Sequence, residues 1–173
     1  TAPEGALSGA MLSRNSAAPA PGSPSIIKIL RHRGGNQQVT LSNGQRWHLP
    51  RGKSPSDIPG SDPLGDELQE AANWLAKQWG PDKLSPEERQ IISDALTQGR
   101  YHRANLWERQ ARGRWVEAKL QQRYSHLKWN RRGVDVTGPS GQNHHYEVLS
   151  GTEDNFEVHG RRMFSEFFRM IFF

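Results

Sequence analysis

Cysteine is absent from the 173 residues, which excludes disulfides and thiolate zinc sites. Folding without disulfides would let the chain work in a reducing cytoplasm. No apolar run approaches the length of a membrane span, so no membrane segment is expected. The start, Thr1-Ala2-Pro3-Glu4, has no basic region ahead of an apolar core and therefore no visible signal peptide. It also lacks an initiator Met, and the chain is expected to be a fragment or a processed product. Hydrophobic residues make up only 34% of the total, yet six Trp and six Phe supply large surfaces to bury.

Charge is plentiful but segregated. The net +5 conceals a basic start (residues 1–53, net +6), an acidic stretch (54–99, net −6), a strongly basic one (100–132, net +8) and a mildly acidic end (133–173, net −3). Ten Lys and Arg against two acids over 100–132 attract polyanions, with nucleic acid the commonest partner. Arg109, Arg112, Arg114, Arg131 and Arg132 are the candidate phosphate contacts. The alternative is a basic face that aids solubility or meets an acidic protein.

Residues 1–24 are rich in Ala, Pro, Ser and Gly and read as a linker or tail that buries too little to offset its ordering entropy. An extension over 25–99 follows. Ser25–Leu30 and Gln38–Leu49 alternate as strands, with Asn43-Gly44 as a two-residue turn signal. Leu64–Trp79 has an amphipathic helical stripe ended by Gly80-Pro81. Ser85, Pro86 and Glu88 open a second helix with a capping box, with Ile91, Ile92, Ala95 and Leu96 expected inward. The third segment, 100–173, begins with a long helix over Tyr101–Tyr124, whose Ala104, Trp107, Ala111, Trp115, Ala118 and Gln122 fall on one stripe. Trp at that spacing reads as core. A strand at Leu127–Trp129 precedes a hairpin, and Thr152 caps a helix running to about Phe164 or Phe168. Arg169–Phe173 is a final buried strand or a continuation of that helix.

The hairpin at 133–150 organises the chain's chemistry. Val134 and Val136 alternate with Asp135, and Tyr146 and Val148 with Glu147, around a turn containing Pro139 and Gly141. If the strands pair, Asp135 and Glu147 sit side by side. Such carboxylates raise each other's pKa unless a cation lies between them, and an oxygen-only pair suits Mg²⁺ or Mn²⁺. The plainer reading is a solvated hairpin whose polar face carries two acids.

From 101 onward the order is helix, strand, strand, strand, helix, strand, with Glu117 late in the helix, Asp135 on the second strand and Glu147 on the third. This resembles the restriction-endonuclease-like, or PD-(D/E)XK, nuclease core, an α/β (α+β) fold. The resemblance implies that Glu117, Asp135 and Glu147 hold one or two divalent metals, Mg²⁺ or Mn²⁺, for phosphodiester hydrolysis. The family's lysine would fall at Leu149. Either the metal suffices, or Lys119, Arg161 or Arg162 supplies the cation, or the domain is inactive. A lysine at 149 is expected to be tolerated if that side chain points into the site.

The phrases Tyr146–Gly151, His159-Gly160-Arg161-Arg162-Met163 and Phe167-Phe168-Arg169-Met170 are similar to C-terminal nuclease toxins of bacterial polymorphic effectors of the Rhs, type VI and contact-dependent kinds. That likeness implies an antibacterial endonuclease, with DNA favoured over RNA. It also implies a larger carrier made in the bacterial cytoplasm, delivery into the target-cell cytoplasm and a dedicated immunity protein. Two other classes stay open. His144, His145 and His159 could serve a metal-independent RNase, because imidazole titrates near neutrality, or the domain could bind nucleic acid or a partner without catalysis.

Overall fold

The computed structural model describes residues 23–139 and 144–173. The linker reading of residues 1–24 falls almost wholly outside them, as do Ser140 and Gly141 of the expected turn. The described chain is mixed α/β, with strands β1 (Ile26–Arg31), β2 (Gln37–Leu41) and β3 (Arg46–Leu49), then helices α1 (Pro63–Gln78), α2 (Pro86–Thr97) and α3 (Tyr101–Arg123). Strands β4 (Lys128–Trp129), β5 (Val136–Thr137) and β6 (His145–Leu149), helix α4 (Glu153–Arg162) and strand β7 (Phe168–Phe172) complete it. Among the described residues, no helix is long and apolar enough to cross a membrane.

All seven strands form one sheet in the order β1-β2-β3-β7-β6-β5-β4. Only β6 and β7 pair in parallel. The division expected at 99/100 therefore does not appear as a break in the sheet: β3 pairs with β7 through Arg46↔Met170 and His48↔Phe168. Residues 25–49 complete the sheet that carries the hairpin. Strand β7 is thus hydrogen-bonded on both sides, which settles the choice between strand and helix for the final segment.

Caps act where the sequence places them. Ser85 accepts from Glu88 N at 3.1 Å while Glu88 Oε1 accepts from Ser85 N at 2.9 Å. Thr152 accepts from Asn155 N at 3.2 Å. The β2–β3 reversal runs through Ser42, Asn43 and Gly44, wider than the two-residue turn expected, with Leu41 N bonded to Gln45 O at 2.8 Å and Gly44 at φ 92°.

The helical stripes need correction. In α2 only Ala95 is buried, while Ile91 and Leu96 are 38% and 47% exposed. In α3 the buried positions are Ala104, Ala111, Val116 and Leu120, whereas Ala118 and Gln122 are exposed. The reason is a change of neighbour. The early turns of α3 meet α2, and the later turns join α1 in a core with Leu68, Ala72, Leu75, Tyr146, Val148 and Ile171. A single stripe cannot serve two partners at different angles. Trp115 lies at the margin of that core.

Helix α4 covers the opposite sheet face, where Phe156 and Met163 pack with Val134, Leu149, Phe168 and Met170. A buried ion cluster pins α1 to the sheet. Asp62, 1% exposed, caps α1 through Gly65 N at 3.1 Å. It also accepts from Tyr146 Oη at 2.6 Å and Arg169 Nη1 at 3.1 Å. Arg169 reaches Asp66 as well, at 2.8 Å. Gly65 has to be glycine here, because a Cβ would overlap the Asp62 carboxylate.

Removing one partner of a buried pair leaves a charge without its counter-charge. Arg169→Leu is therefore expected to lower stability by about 3–5 kcal/mol in chemical denaturation. Asp66→Asn, at the exposed rim of the same cluster, should cost less than about 1 kcal/mol.

Candidate active site

The site arises where β5 and β6 part. Their ladder pairs Thr137 with His145 and Val136 with Tyr146, and it stops one residue short of joining Asp135 to Glu147. Side chains take over the main-chain donors there. Asp135 N donates to Glu147 Oε1 at 3.1 Å, and Val148 N donates to Asp135 Oδ2 at 2.8 Å. Each carboxylate is thus fixed by the opposite strand, as buried backbone donors require. From α4, His159 donates through Nδ1 to Glu147 Oε2 at 2.5 Å. Thr152 starts α4 just after β6 ends, so the helix folds back over the strand. His159 lies between Phe156 and Met163 on the face that meets the sheet.

A cavity of about 430 Å³ opens at this point, lined by Glu117, Asp135, Glu147, His159, Arg131 and Arg162, with Gly133, Val148 and Met163. Glu147 is only 4% exposed. Burial, then the charges of Glu147 and Glu117, push the Asp135 carboxyl up to about 8. Glu117 is also raised, by burial first and by Glu147 second. Asp135 and Glu117 thus hold their protons more tightly, each because it is buried beside the charge of Glu147.

The expected site residues do not all meet. Glu117, Asp135 and Glu147 share the cavity, and Arg131 borders it. Lys119, two residues beyond Glu117 on α3, turns away, as that spacing requires, and its Nζ lies 5.7 Å from the Trp115 ring centre. Arg161 pairs with Glu157 at 3.9 Å outside the cavity lining, and Arg162 is the arginine of α4 that lines it. Leu149, at the family's lysine position, is buried with Phe156 and Met163. A lysine there would bury its charge, so the expected tolerance is withdrawn.

The basic residues of α3 scatter likewise. Arg114 bonds Glu88 at 3.0 Å and joins α3 to α2, and Arg112 lies over the Phe173 ring at 5.4 Å. Arg109 and Arg132 are exposed. The histidines do not converge either. His144 sits 3.2 Å from Asp62 on the α1 side, His145 is 3.4 Å from Thr137 Oγ1, and His159 alone of the three lines the cavity. The sequence reading placed His159 near the acids but missed its bond to Glu147. Its position between Phe156 and Met163 was the available signal.

Among the described residues, no three His, Asp or Glu side chains stand close enough to enclose a metal ion as they are placed. The donor chemistry of Glu117, Asp135 and Glu147 nonetheless suits a hard divalent cation.

The raised Asp135 carboxyl sets a pH dependence. Its folded value of about 8 lies well above the ordinary carboxyl value of 3.8. Asp135 therefore contributes stability that is fully present below about pH 4 and is lost as pH rises through 8. In chelator, Asp135→Asn should melt higher than the unsubstituted protein at pH 9, with the gap shrinking toward pH 5. An equal gap at both pH values would show that Asp135 titrates normally.

Comparisons with family models, curated proteins and solved structures returned no match, so the chemistry of this site has to be read from its own residues.

Proposed function

We propose that this domain is a metal-dependent endonuclease with a restriction-endonuclease-like core, acting as an antibacterial toxin. The observation that carries the reading is one cavity holding Glu117, Asp135 and Glu147 beside Arg131 and Arg162. Carboxylates collect a divalent cation, and arginines collect a phosphate. The run α3, β4, β5, β6, α4 and β7 follows the helix, strand, strand, strand, helix, strand order that resembles that core. The toxin setting rests on the likeness of the 146–170 phrases to polymorphic effector tips. It includes a carrier, an immunity protein and action in the target-cell cytoplasm.

Magnesium or manganese bound by Glu117, Asp135 and Glu147 would supply Lewis acidity toward a phosphodiester and acidify a water. The protein's own residues do the rest. Arg131 and Arg162 hold the phosphate by charge from the loop and from α4. The main-chain donors of Asp135 and Val148 keep the carboxylates from rotating. Glu147 fixes the His159 ring through Nδ1, leaving Nε2 as the nitrogen able to exchange a proton with water or a leaving oxygen. DNA is the favoured substrate over RNA.

The 2.5 Å His159–Glu147 contact also favours a second reading, a metal-independent RNase centred on His159. Plasmid and total RNA, each with Mg²⁺ and with chelator, separate the two. Cleavage should require the metal and fall to background in Glu117→Ala, Asp135→Ala and Glu147→Ala, with none of the three losing its cooperative melt. RNA cleavage that survives chelator but not His159→Gln selects the second reading. Binding without any cleavage leaves a nucleic-acid-binding module.

A further inference from the structure

Alternation in β2 and β3 predicts one apolar and one solvated face, but the polar face is buried. Asn36, Gln38 and His48 are 2%, 1% and 0% exposed, and all three are turned to α4 and the chain that follows it. Gln38 Nε2 donates to Phe156 O at 2.7 Å. Asn36 Nδ2 donates to Gly160 O at 3.0 Å. These two carbonyls lie about one turn apart and bracket His159. Gly160 O belongs to the last turn of α4, where carbonyls lack a partner within the helix, so Asn36 caps α4 from another element.

The amides are themselves oriented. His48 donates through Nδ1 to Glu166 O at 2.7 Å, which leaves Nε2 to accept from Asn36 Nδ2 at 3.0 Å. Gln38 Oε1 accepts from Arg46 Nε at 3.2 Å, and the Arg46 guanidinium lies 3.7 Å from the Phe156 ring centre. Gly160 lets the helix approach this closely, since a Cβ there would come within 2.5 Å of Gln38 Nε2 and 2.9 Å of His32 Nε2. A buried polar seam of this kind tolerates little rotation or sliding, because each displaced donor would be left unsatisfied.

We propose that Asn36 and Gln38 are positioning residues for His159: by holding the carbonyls on either side of it, they set the turn of α4 that brings Nδ1 onto Glu147. The functional importance of that contact rests on reading the Glu147–His159 pair as part of the reaction centre. The contact itself can be followed without any activity.

The test uses Asn36→Asp and Gln38→Glu, near-isosteres that lose the donating NH₂. Gly160→Ala keeps both amides but crowds the seam, and alanine suits a helix better than glycine, which covers the case of an isostere that does not fold. Long-range ¹H–¹⁵N spectra of the imidazoles, with His159→Gln for assignment, report whether Nδ1 of His159 stays hydrogen-bonded. The expected result is loss of the His159 Nδ1–H pattern in each folded variant. Alongside it, kcat should fall by about 10- to 100-fold with KM nearly constant, the range typical when the partners that orient the side chains around a metal are removed. An unchanged His159 signal in every folded variant overturns the proposal, and so does a lost signal with kcat unchanged in an active protein. Absence of cleavage by the unsubstituted protein would take down the nuclease reading, while the spectra would still decide the positioning.

Discussion

The break between β5 and β6 governs the rest of the structure. Two strands that separate release main-chain donors, and buried donors require acceptors. Asp135 and Glu147 provide them across the gap, so the bonds that finish the sheet also gather negative charge at its opening. Burial makes that charge costly, which is why Asp135 and Glu117 hold their protons more tightly than carboxyls in water. His159 approaches the same point from α4 and Arg131 from the loop. A hairpin that continued its ladder would have neither the concentration of acids nor the space between them.

Helix α4 is held in two different ways along one face. Phe156 and Met163 pack into the apolar cluster under it, which supplies most of the driving force but little directional control, because apolar contact is nearly indifferent to small rotations. The amides of Asn36 and Gln38 supply direction. On the far face, the Asp62–Arg169 cluster does the same for α1. Both helices thus combine a greasy stripe with a small number of buried polar anchors, and in both the anchors join parts of the chain distant in sequence.

Signals confined to a few neighbouring residues were legible in the sequence. The Ser85–Glu88 box, the Thr152 cap, the Gly44 reversal and the alternation around Glu147 each depend on local geometry, and each produced its element, whereas the strand expected at 134–136 shrank to Val136–Thr137 and left Asp135 outside it. What escaped depends on partners. Alternation shows that β2 and β3 have two faces, but not that a helix some 120 residues later covers the polar one. The stripe on α3 was read as one face because nothing local marks where α2 gives way to α1 and the sheet. Nothing beside Asp62 in the sequence marks its role, since Tyr146 and Arg169 lie more than 80 residues away. Lys119 and Arg161 were plausible by proximity in sequence, and helical geometry turned both aside.

The place of β7 bears on how the protein is made. In the sheet, β3 and β6 meet only through it, so the strands synthesised first and those synthesised later cannot join into one sheet until Phe168–Phe172 has been made. Pairings this remote in sequence are slow to form, and until they do each half presents an open edge. The same strand brings Arg169 to Asp62 and closes the sheet beside Glu147. An unfinished chain therefore has the carboxylates of its site in the right order but no finished sheet to hold them. The site thus becomes ordered only after translation has passed β7.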